Sequence, residues 1–280
     1  MTTNTLDIPA RFGSGQAVKR LEDEALLKGT GQYTDDIAPA GQLRLCFVRS
    51  PYPHARITGI DTSAAKAMPG VVAVVTGAEL VAAGVKPIPH SPNFKRAGGA
   101  PGATPARRVL AHERVRYVGE AVALVVAETV QQARDAAEAV MLDYEELPHV
   151  VTADDATAAG APALCDEAPD NVSAEMRHGN EAATAEAFAK AAHIVKLNIH
   201  NQRVAALTIE PRSVLAWIAE DGRLTLRMSS QMPSGVKNAL CNDILGLPRD
   251  KVRVTVGDVG GGFGRVRWPK RGCSESVASA

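Results

Sequence analysis

Apolar residues recur in short runs whose spacing alternates between that of strands and that of helices. Runs rich in β-branched and other apolar residues predict strands at Leu43–Val48, Val71–Val75 and Ala121–Ala127. Apolar positions at helical spacing predict a helix over Thr129–Val140, and a further strand follows at Val140–Tyr144. This alternation predicts one compact α/β or α+β domain that ends near residue 150.

A second pattern begins after Val151–His178, an Ala-, Pro- and Asp-rich stretch that is typical of a linker. Asn180 can cap a predicted helix over Glu181–Ala192, because an Asn side chain accepts hydrogen bonds from the first helical turn. Apolar residues alternate with polar ones over 195–199, which predicts a half-buried strand. The remaining predicted elements are a hairpin around Glu220-Asp221-Gly222, a helix over Ser234–Leu245 and a strand over 252–256.

Composition narrows the functional classes. A length of 280 residues predicts two domains at ~100–200 residues each, with one large domain as the alternative. Lys and Arg number 31 against 31 Asp and Glu, and aromatic residues are 4%, so nucleic acid is a poor candidate partner.

No apolar run reaches about 18 residues, so no membrane span is expected. The first ten residues do not form a secretory signal, and four Cys without a CxxC motif predict reduced thiols in a cytoplasmic protein.

The glycine-rich segment Gly260–Gly264 is the sharpest local feature, because it holds four glycines in five residues. Such a segment can direct several backbone N–H groups into one concavity and bind an anion. A tight turn that needs positive φ explains the same glycines equally well. Gln231, between a predicted strand and a predicted helix, can direct its amide into a pocket or serve only at the helix entry. The spacing of the seven His predicts no metal site.

Eight short motifs occur in a characteristic order along residues 11–264. They are Gly29–Asp36, Ser50–Ala55, Val115–Glu120, Asp143–Pro148, Glu210–Arg212, Ser230–Pro233, Leu245–Pro248 and Asp258–Gly264. In this order they resemble the start of the large subunit of molybdenum hydroxylases, the xanthine dehydrogenase, aldehyde oxidase and carbon monoxide dehydrogenase family. Each motif is weak alone, and the ordered set is specific.

The resemblance implies an α+β fold: an aldehyde oxidase/xanthine dehydrogenase-type a/b hammerhead domain followed by the beginning of a molybdenum-cofactor-binding domain. The expected divisions are a flexible tail at 1–19, the hammerhead domain at 20–150, a linker at 151–178, an incomplete molybdopterin-binding domain at 179–264, and a tail unlike the family at 265–280. The last tail suggests an out-of-frame or prematurely ended sequence, and the resemblance therefore points to a truncated large subunit.

The resemblance also implies the site residues. Gly261, Gly262, Phe263 and Gly264 match the loop that approaches the molybdenum end of the cofactor, and Gln231 matches the glutamine near the metal's oxo ligand. The implied cofactor is molybdopterin, with its cytosine dinucleotide form left open. The implied partners are an iron–sulfur subunit and an FAD-binding subunit. No catalytic residue or metal ligand is assigned, because the general base of the family lies outside this chain.

Three functions remain open from the sequence. The first is part of a molybdenum-dependent oxidoreductase that contributes to the cofactor site and is inactive alone. The second is a non-catalytic module that docks on iron–sulfur or flavin subunits. The third is a separate anion- or nucleotide-binding protein that uses the glycine segment. Apolar surface and sheet edges left uncovered would also predict poor solubility.

Overall fold

The computed structural model describes residues 19–89, 95–199, 207–263 and 278–279, which form an α+β structure. The α-helices of this part are α1 (Asp23–Leu27), α2 (Ser63–Lys66), α3 (Gly77–Ala82), α4 (Val130–Glu138), α5 (Ala153–Thr157), α6 (Glu181–Lys190) and α7 (Pro233–Asn238). The strands are β1 (Leu43–Arg49), β2 (Ala55–Asp61), β3 (Val71–Thr76), β4 (Arg114–Val115), β5 (Ala121–Ala127), β6 (Met141–Glu146), β7 (Val214–Ile218), β8 (Leu224–Met228), β9 (Val252–Thr255) and β10 (Ala278–Ser279).

The strands form two sheets. The larger sheet has the order β3-β5-β1-β10-β7-β8-β9, and the smaller one has the order β4-β2-β6. Neighbours in the larger sheet are antiparallel except β10 with β7 and β8 with β9, which are parallel. The predicted tails at 1–19 and 265–280 fall almost wholly outside the described residues, apart from residue 19 and the two residues of β10.

The main core lies around β5, as its apolar run predicts. Val122, Ala123, Val125 and Ala127 are fully buried, because β5 lies between β3 and β1. Helix α4 packs on this sheet through small alanines, and the Thr129 side chain caps it by accepting a hydrogen bond from the backbone N–H of Gln132. Predicted strands and helix in this half are confirmed, with ends that differ by a few residues.

Strand β2 was not predicted from the pattern, and it is the central strand of the smaller sheet. Its apolar positions are few, and Gly59 interrupts it where the register with β6 shifts. A Cβ on Gly59 would lie 2.8 Å from the Asp143 carboxylate, so glycine permits the close approach of β6. Pairing with β6 and β4, rather than local propensity, therefore makes this segment a strand.

In the second half the hairpin and the helix cap are confirmed. β7 and β8 pair antiparallel from Val214↔Met228 to Ile218↔Leu224, and Gly222 in the turn has φ +76°. The Asn180 side chain caps α6 by accepting a hydrogen bond from Ala183 N–H at 3.0 Å. The predicted helix over 234–245 is split, because α7 continues as a π-helical segment over Ala239–Ile244.

The predicted strand over 195–199 is wrong. Residues 194–199 have no regular structure, and the side chains of Val195, Leu197 and Ile199 are 78–91% exposed. The alternating pattern indicates one face meant for burial, but no other described element covers that face. α6, just before it, also buries none of its residues.

Residues 151–178, predicted as a linker, make ordered contacts with the loop before β4. Ser173 and Ala103 exchange two hydrogen bonds of 2.8 Å, and Arg96 pairs with Asp170 at 2.5 Å. The longest α-helix in the described part of the chain has ten residues, and none there is long and apolar enough to cross a membrane.

Candidate functional site

The glycine segment follows β9 and turns sharply. Gly261 has φ +120° and Phe263 has φ +42°, so both residues lie in the left-handed region that L-side chains rarely adopt. The turn interpretation of the glycines is therefore confirmed at Gly261. Phe263 is 76% exposed at the end of this turn. Gly264 lies outside the described residues, and its predicted role stays a prediction.

The structure brings Gln231 to this turn. Gln231 lies between the end of β8 and Pro233, the first residue of α7. A Cβ on Gly262 would lie 2.6 Å from Gln231 Nε2, so the side chain of Gln231 packs directly on the glycine backbone. Two residues that are 31 positions apart in the sequence, and that were both predicted for one site, are thus neighbours.

Four of the eight motifs meet at this place. Ser230–Pro233 contributes Gln231, and the other three form what we call the glycine-loop junction (Gly29–Asp36, Glu210–Arg212 and Asp258–Phe263). Glu210 accepts a hydrogen bond from Gly260 N–H at 2.6 Å, and Asp258 accepts one from Gln32 N–H at 2.6 Å. In the sequence, Glu210 and Gln32 stand out only because each belongs to one of the eight ordered motifs. Their roles follow from contacts between distant segments, which spacing along the chain does not reveal.

Three other motifs meet in the first half of the chain, away from the glycines. Ser50 N–H donates to the Glu120 carbonyl at 2.9 Å, and Gly119 N–H donates to the Ser50 carbonyl at 2.7 Å. Leu147 N–H donates to the His54 carbonyl at 3.0 Å. These backbone hydrogen bonds join the segments that connect the strands. The three motifs therefore have a structural explanation.

A cavity of about 730 Å³ lies beside the smaller sheet, and it contains none of the predicted site residues. Arg56, Arg114 and Arg116 line it, together with Glu120 and Asp166 among others. Arg114 pairs with Asp166 at 3.5 Å within the lining. Mixed charge of this kind does not single out one ligand.

The described residues offer no protein-derived metal centre. No group of three or more His, Cys, Asp or Glu side chains is placed to hold a metal ion within the described ranges. Burial raises the pKa of the Cys46 thiol, which disfavours the reactive thiolate. The described part of the site supplies backbone N–H groups, the neutral amide of Gln231 and the exposed Phe263 side chain.

Two protein-family models match this chain. The model of the aldehyde oxidase and xanthine dehydrogenase a/b hammerhead domain matches residues 28–148, and the model of the molybdopterin cofactor-binding domain matches residues 164–271. The glycine-loop junction includes residues from both matched regions.

Two curated relatives illustrate the similarity. The nicotine 6-hydroxylase large subunit of Paenarthrobacter nicotinovorans is 43% identical over 256 residues, which are 90% of this chain and 30% of that protein. The carbon monoxide dehydrogenase large chain of Afipia carboxidovorans is 37% identical over 265 residues, which are 90% of this chain and 31% of that one. The chain thus spans about 30% of the length of these relatives.

Solved structures are similar over the same extent. Quinoline 2-oxidoreductase from Pseudomonas putida 86 matches with a TM-score of 0.79 and 35% identity, over 89% of this chain and 31% of that one. Aldehyde oxidoreductase from Desulfovibrio gigas matches with a TM-score of 0.75 and 30% identity, over 93% of this chain and 29% of that one.

Proposed function

This chain belongs to the molybdopterin-binding large subunits of the xanthine dehydrogenase, aldehyde oxidase and carbon monoxide dehydrogenase family, and we propose that it forms one side of their molybdenum-cofactor site. It carries the hammerhead domain and the start of the molybdopterin cofactor-binding domain. The observation that carries the proposal is the packing of Gln231 on Gly262. This contact assembles the predicted cofactor-binding residues from two separate segments.

The residues at this contact fit an anionic pterin cofactor. Among the described residues, none accepts a hydrogen bond from the N–H group of Gly261 or Gly262, and we propose that these two donors face the cofactor. A Cβ at Gly261 would lie 3.1 Å from the Phe263 ring, and one at Gly262 would meet Gln231, so larger residues would fill the space. Backbone N–H groups can bind an anion without a charged side chain.

The cofactor, when bound, supplies the oxygen-atom and electron transfer of a hydroxylation, which protein side chains cannot perform. This chain's residues would bind and orient it. The amide of Gln231 can donate a hydrogen bond to a neutral or anionic oxygen without changing the charge of the site. The exposed Phe263 ring would present an apolar surface beside the glycines.

Activity requires more than this segment. We propose that the 280-residue chain is catalytically inactive alone, because no described side chain is assigned as general base and the curated relatives are about three times longer. The alternative function is a non-catalytic module that docks on iron–sulfur or flavin subunits. For either function, the exposed apolar residues after α6 support the need for another region of protein that covers them.

The finer features of the proposal extend the same resemblance. We propose the cytosine dinucleotide form of molybdopterin, iron–sulfur and FAD-binding partner subunits, and a cytoplasmic location. The proposed divisions stay at 20–150 for the hammerhead domain and 179–264 for the start of the cofactor domain. The two family-model matches, which leave residues 149–163 between them, support a division in that region.

Metal and pterin analysis tests the proposal. The chain would be purified alone and after co-expression with the region that follows it in the relatives, and molybdenum and the fluorescent pterin oxidation product would be measured. We expect both in the co-expressed sample. Gly262→Val and Gln231→Leu should lower the content of both, whereas Gly235→Ala, on α7, serves as a control that should retain them.

The outcomes separate the two functions. Molybdenum with pterin in the co-expressed sample, lost in Gly262→Val, supports the cofactor site. A folded complex with partner subunits but without molybdenum in any sample contradicts it and favours the docking module.

A further inference from the structure

The segment Gly29–Asp36, far from the glycines in sequence, is hydrogen-bonded to the start of their loop. Gln32 N–H donates to the Asp258 carboxylate at 2.6 Å, and Asp258 N–H donates to the Gln32 carbonyl at 3.1 Å. The Arg227 guanidinium donates to the same carbonyl at 3.0 Å. Gln32 and Asp258 thus form a reciprocal pair that a third donor supports.

Two glycines permit this close approach. A Cβ on Gly257 would clash with Arg227 and would lie 2.5 Å from the Gln32 carbonyl oxygen. A Cβ on Gly31 would lie 2.9 Å from the Leu26 side chain and 3.3 Å from the Asp258 carboxylate. At Gly257 the two backbones therefore meet where a side chain is absent, whereas a Cβ on Gly31 would displace side-chain atoms of Leu26 and Asp258.

Glu210 makes a second connection between the same segments. Its carboxylate accepts one hydrogen bond from Gly260 N–H at 2.6 Å and another from Thr34 N–H at 3.4 Å. A Cβ on Gly260 would clash with Glu210 Cβ and lie 3.1 Å from its backbone nitrogen. One partly buried carboxylate thus holds backbone donors that are 226 residues apart in the sequence.

We propose that Glu210 is a positioning residue, which fixes the glycine turn against the segment Gly29–Asp36 and so directs the N–H groups of Gly261 and Gly262 toward the cofactor. This inference rests on the proposed function. A carboxylate is suited to the task because its bonds to N–H donors are charge-assisted. The Glu210 carboxylate accepts the hydrogen bond of Gly260 N–H, and the N–H groups of Gly261 and Gly262 remain for a ligand.

Amide hydrogen exchange on the 280-residue chain tests the positioning without any cofactor. Peptides that cover 31–36 and 257–263 would be compared among the wild type, Glu210→Ala, Glu210→Gln and the control Glu220→Ala, an exposed carboxylate in the β7–β8 turn. Loss of a charge-assisted bond should speed exchange at Gly260 and Thr34 roughly tenfold or more in Glu210→Ala. The control should exchange as the wild type does.

Glu210→Gln provides the discriminating result. Its carbonyl oxygen can still accept from Gly260, but its amide nitrogen would then face Thr34 N–H and cannot accept. We therefore expect protection restored at Gly260 and not at Thr34. Unchanged exchange of the glycine turn in Glu210→Ala overturns the proposal, and so does equal loss at both amides in the glutamine variant. If the alanine variant fails to fold, the glutamine variant alone decides.

The cofactor content of the complete large subunit is the second readout. Glu210→Ala should reduce retained molybdenum and pterin, while Glu220→Ala should not. Unaltered cofactor retention in a variant with a loosened turn contradicts the positioning role. Absence of cofactor from the wild-type complete subunit contradicts the proposed function instead, and the exchange result then still reports on the role of Glu210 in the turn.

Discussion

The imidazole Nδ1 of His54 lies 2.7 Å from the carbonyl oxygen of Pro148, just beyond the end of β6 in the smaller sheet. Because a carbonyl oxygen can only accept, the hydrogen must be on Nδ1. The ring is 4% exposed, and the buried Nε2 has no hydrogen-bond partner. His54, the residue before β2, is thus linked to Pro148, which lies two residues after the end of β6, in the hammerhead half of the chain.

Replacing His54 should destabilise this half. In His54→Ala the Pro148 carbonyl loses its donor and a buried ring leaves a cavity, so we expect a loss of about 2–4 kcal/mol in the free energy of unfolding. Urea unfolding followed by fluorescence or circular dichroism measures it. His149→Ala, at an exposed neighbouring position, should change the free energy by less than about 0.5 kcal/mol. Equal effects of the two variants would contradict the role given to His54.

The glycine turn should tolerate a methyl group poorly at Gly260. Gly260→Ala places its Cβ against the Cβ and backbone of Glu210, which cannot rotate away, and we expect a cost of about 1–3 kcal/mol. The matched variant is Gly235→Ala in α7, whose nearest atom is the flexible end of Met232 at 3.3 Å. It should be neutral or stabilise by about 0.5–1 kcal/mol, because alanine favours helix. Thermal unfolding checks that the melting temperature falls in Gly260→Ala and does not fall in Gly235→Ala.

Acid should weaken the cap of α3. The Thr76 backbone N–H donates to the Glu79 carboxylate at 2.6 Å and holds its pKa below the ordinary value of 4.5, and Lys66 adds a smaller favourable charge. A lowered folded-state pKa stabilises the fold above the unfolded-state pKa, and this stabilisation is lost as the pH falls through the folded-state value. The carboxylate is half exposed, so the effect is at most about 1 kcal/mol after solvent screening.

Glu79→Gln isolates this effect, because glutamine does not titrate. Unfolding free energies at about pH 6 and about pH 3.5 should differ less in Glu79→Gln than in the wild type. Glu220→Gln, in the exposed turn, should retain the wild-type difference. A wild-type pH dependence in Glu79→Gln would show that other carboxylates account for the acid sensitivity.

The exposed residues after α6 should bind apolar dye. Val195, Leu197 and Ile199 present apolar side chains to solvent, and contiguous surface of this kind promotes association. The double variant Leu197→Lys, Ile199→Lys should therefore bind less dye and aggregate less while its melting temperature stays unchanged. Leu215→Ala, at a position that is 2% exposed, should instead lose about 2–5 kcal/mol of stability. A large drop in melting temperature of the lysine variant would mean that the segment is packed.

Local pattern predicted most elements because each has its own physical signal. The apolar run of β5, the Asp-Gly turn between β7 and β8 and the Asn180 cap all act over a few residues, and all three are confirmed. β2 was not predicted because its pairing with β4 and β6, and not its own sequence, makes it a strand. The strand predicted over 195–199 failed for the complementary reason, since alternation indicates a face for burial and only a partner can bury it.

The sequence by itself determined the family and the α+β fold class, because ordered motifs and hydrophobic periodicity are properties of the chain alone. The resemblance also named the candidate site residues, whose role stays a prediction. Only the tertiary structure decided that Gln231 packs on Gly262 and that Glu210 and Asp258 join the glycine turn to the segment Gly29–Asp36. Those contacts join residues that are 31 to 226 positions apart. They depend on close approach of backbones at glycines, which sequence spacing does not encode.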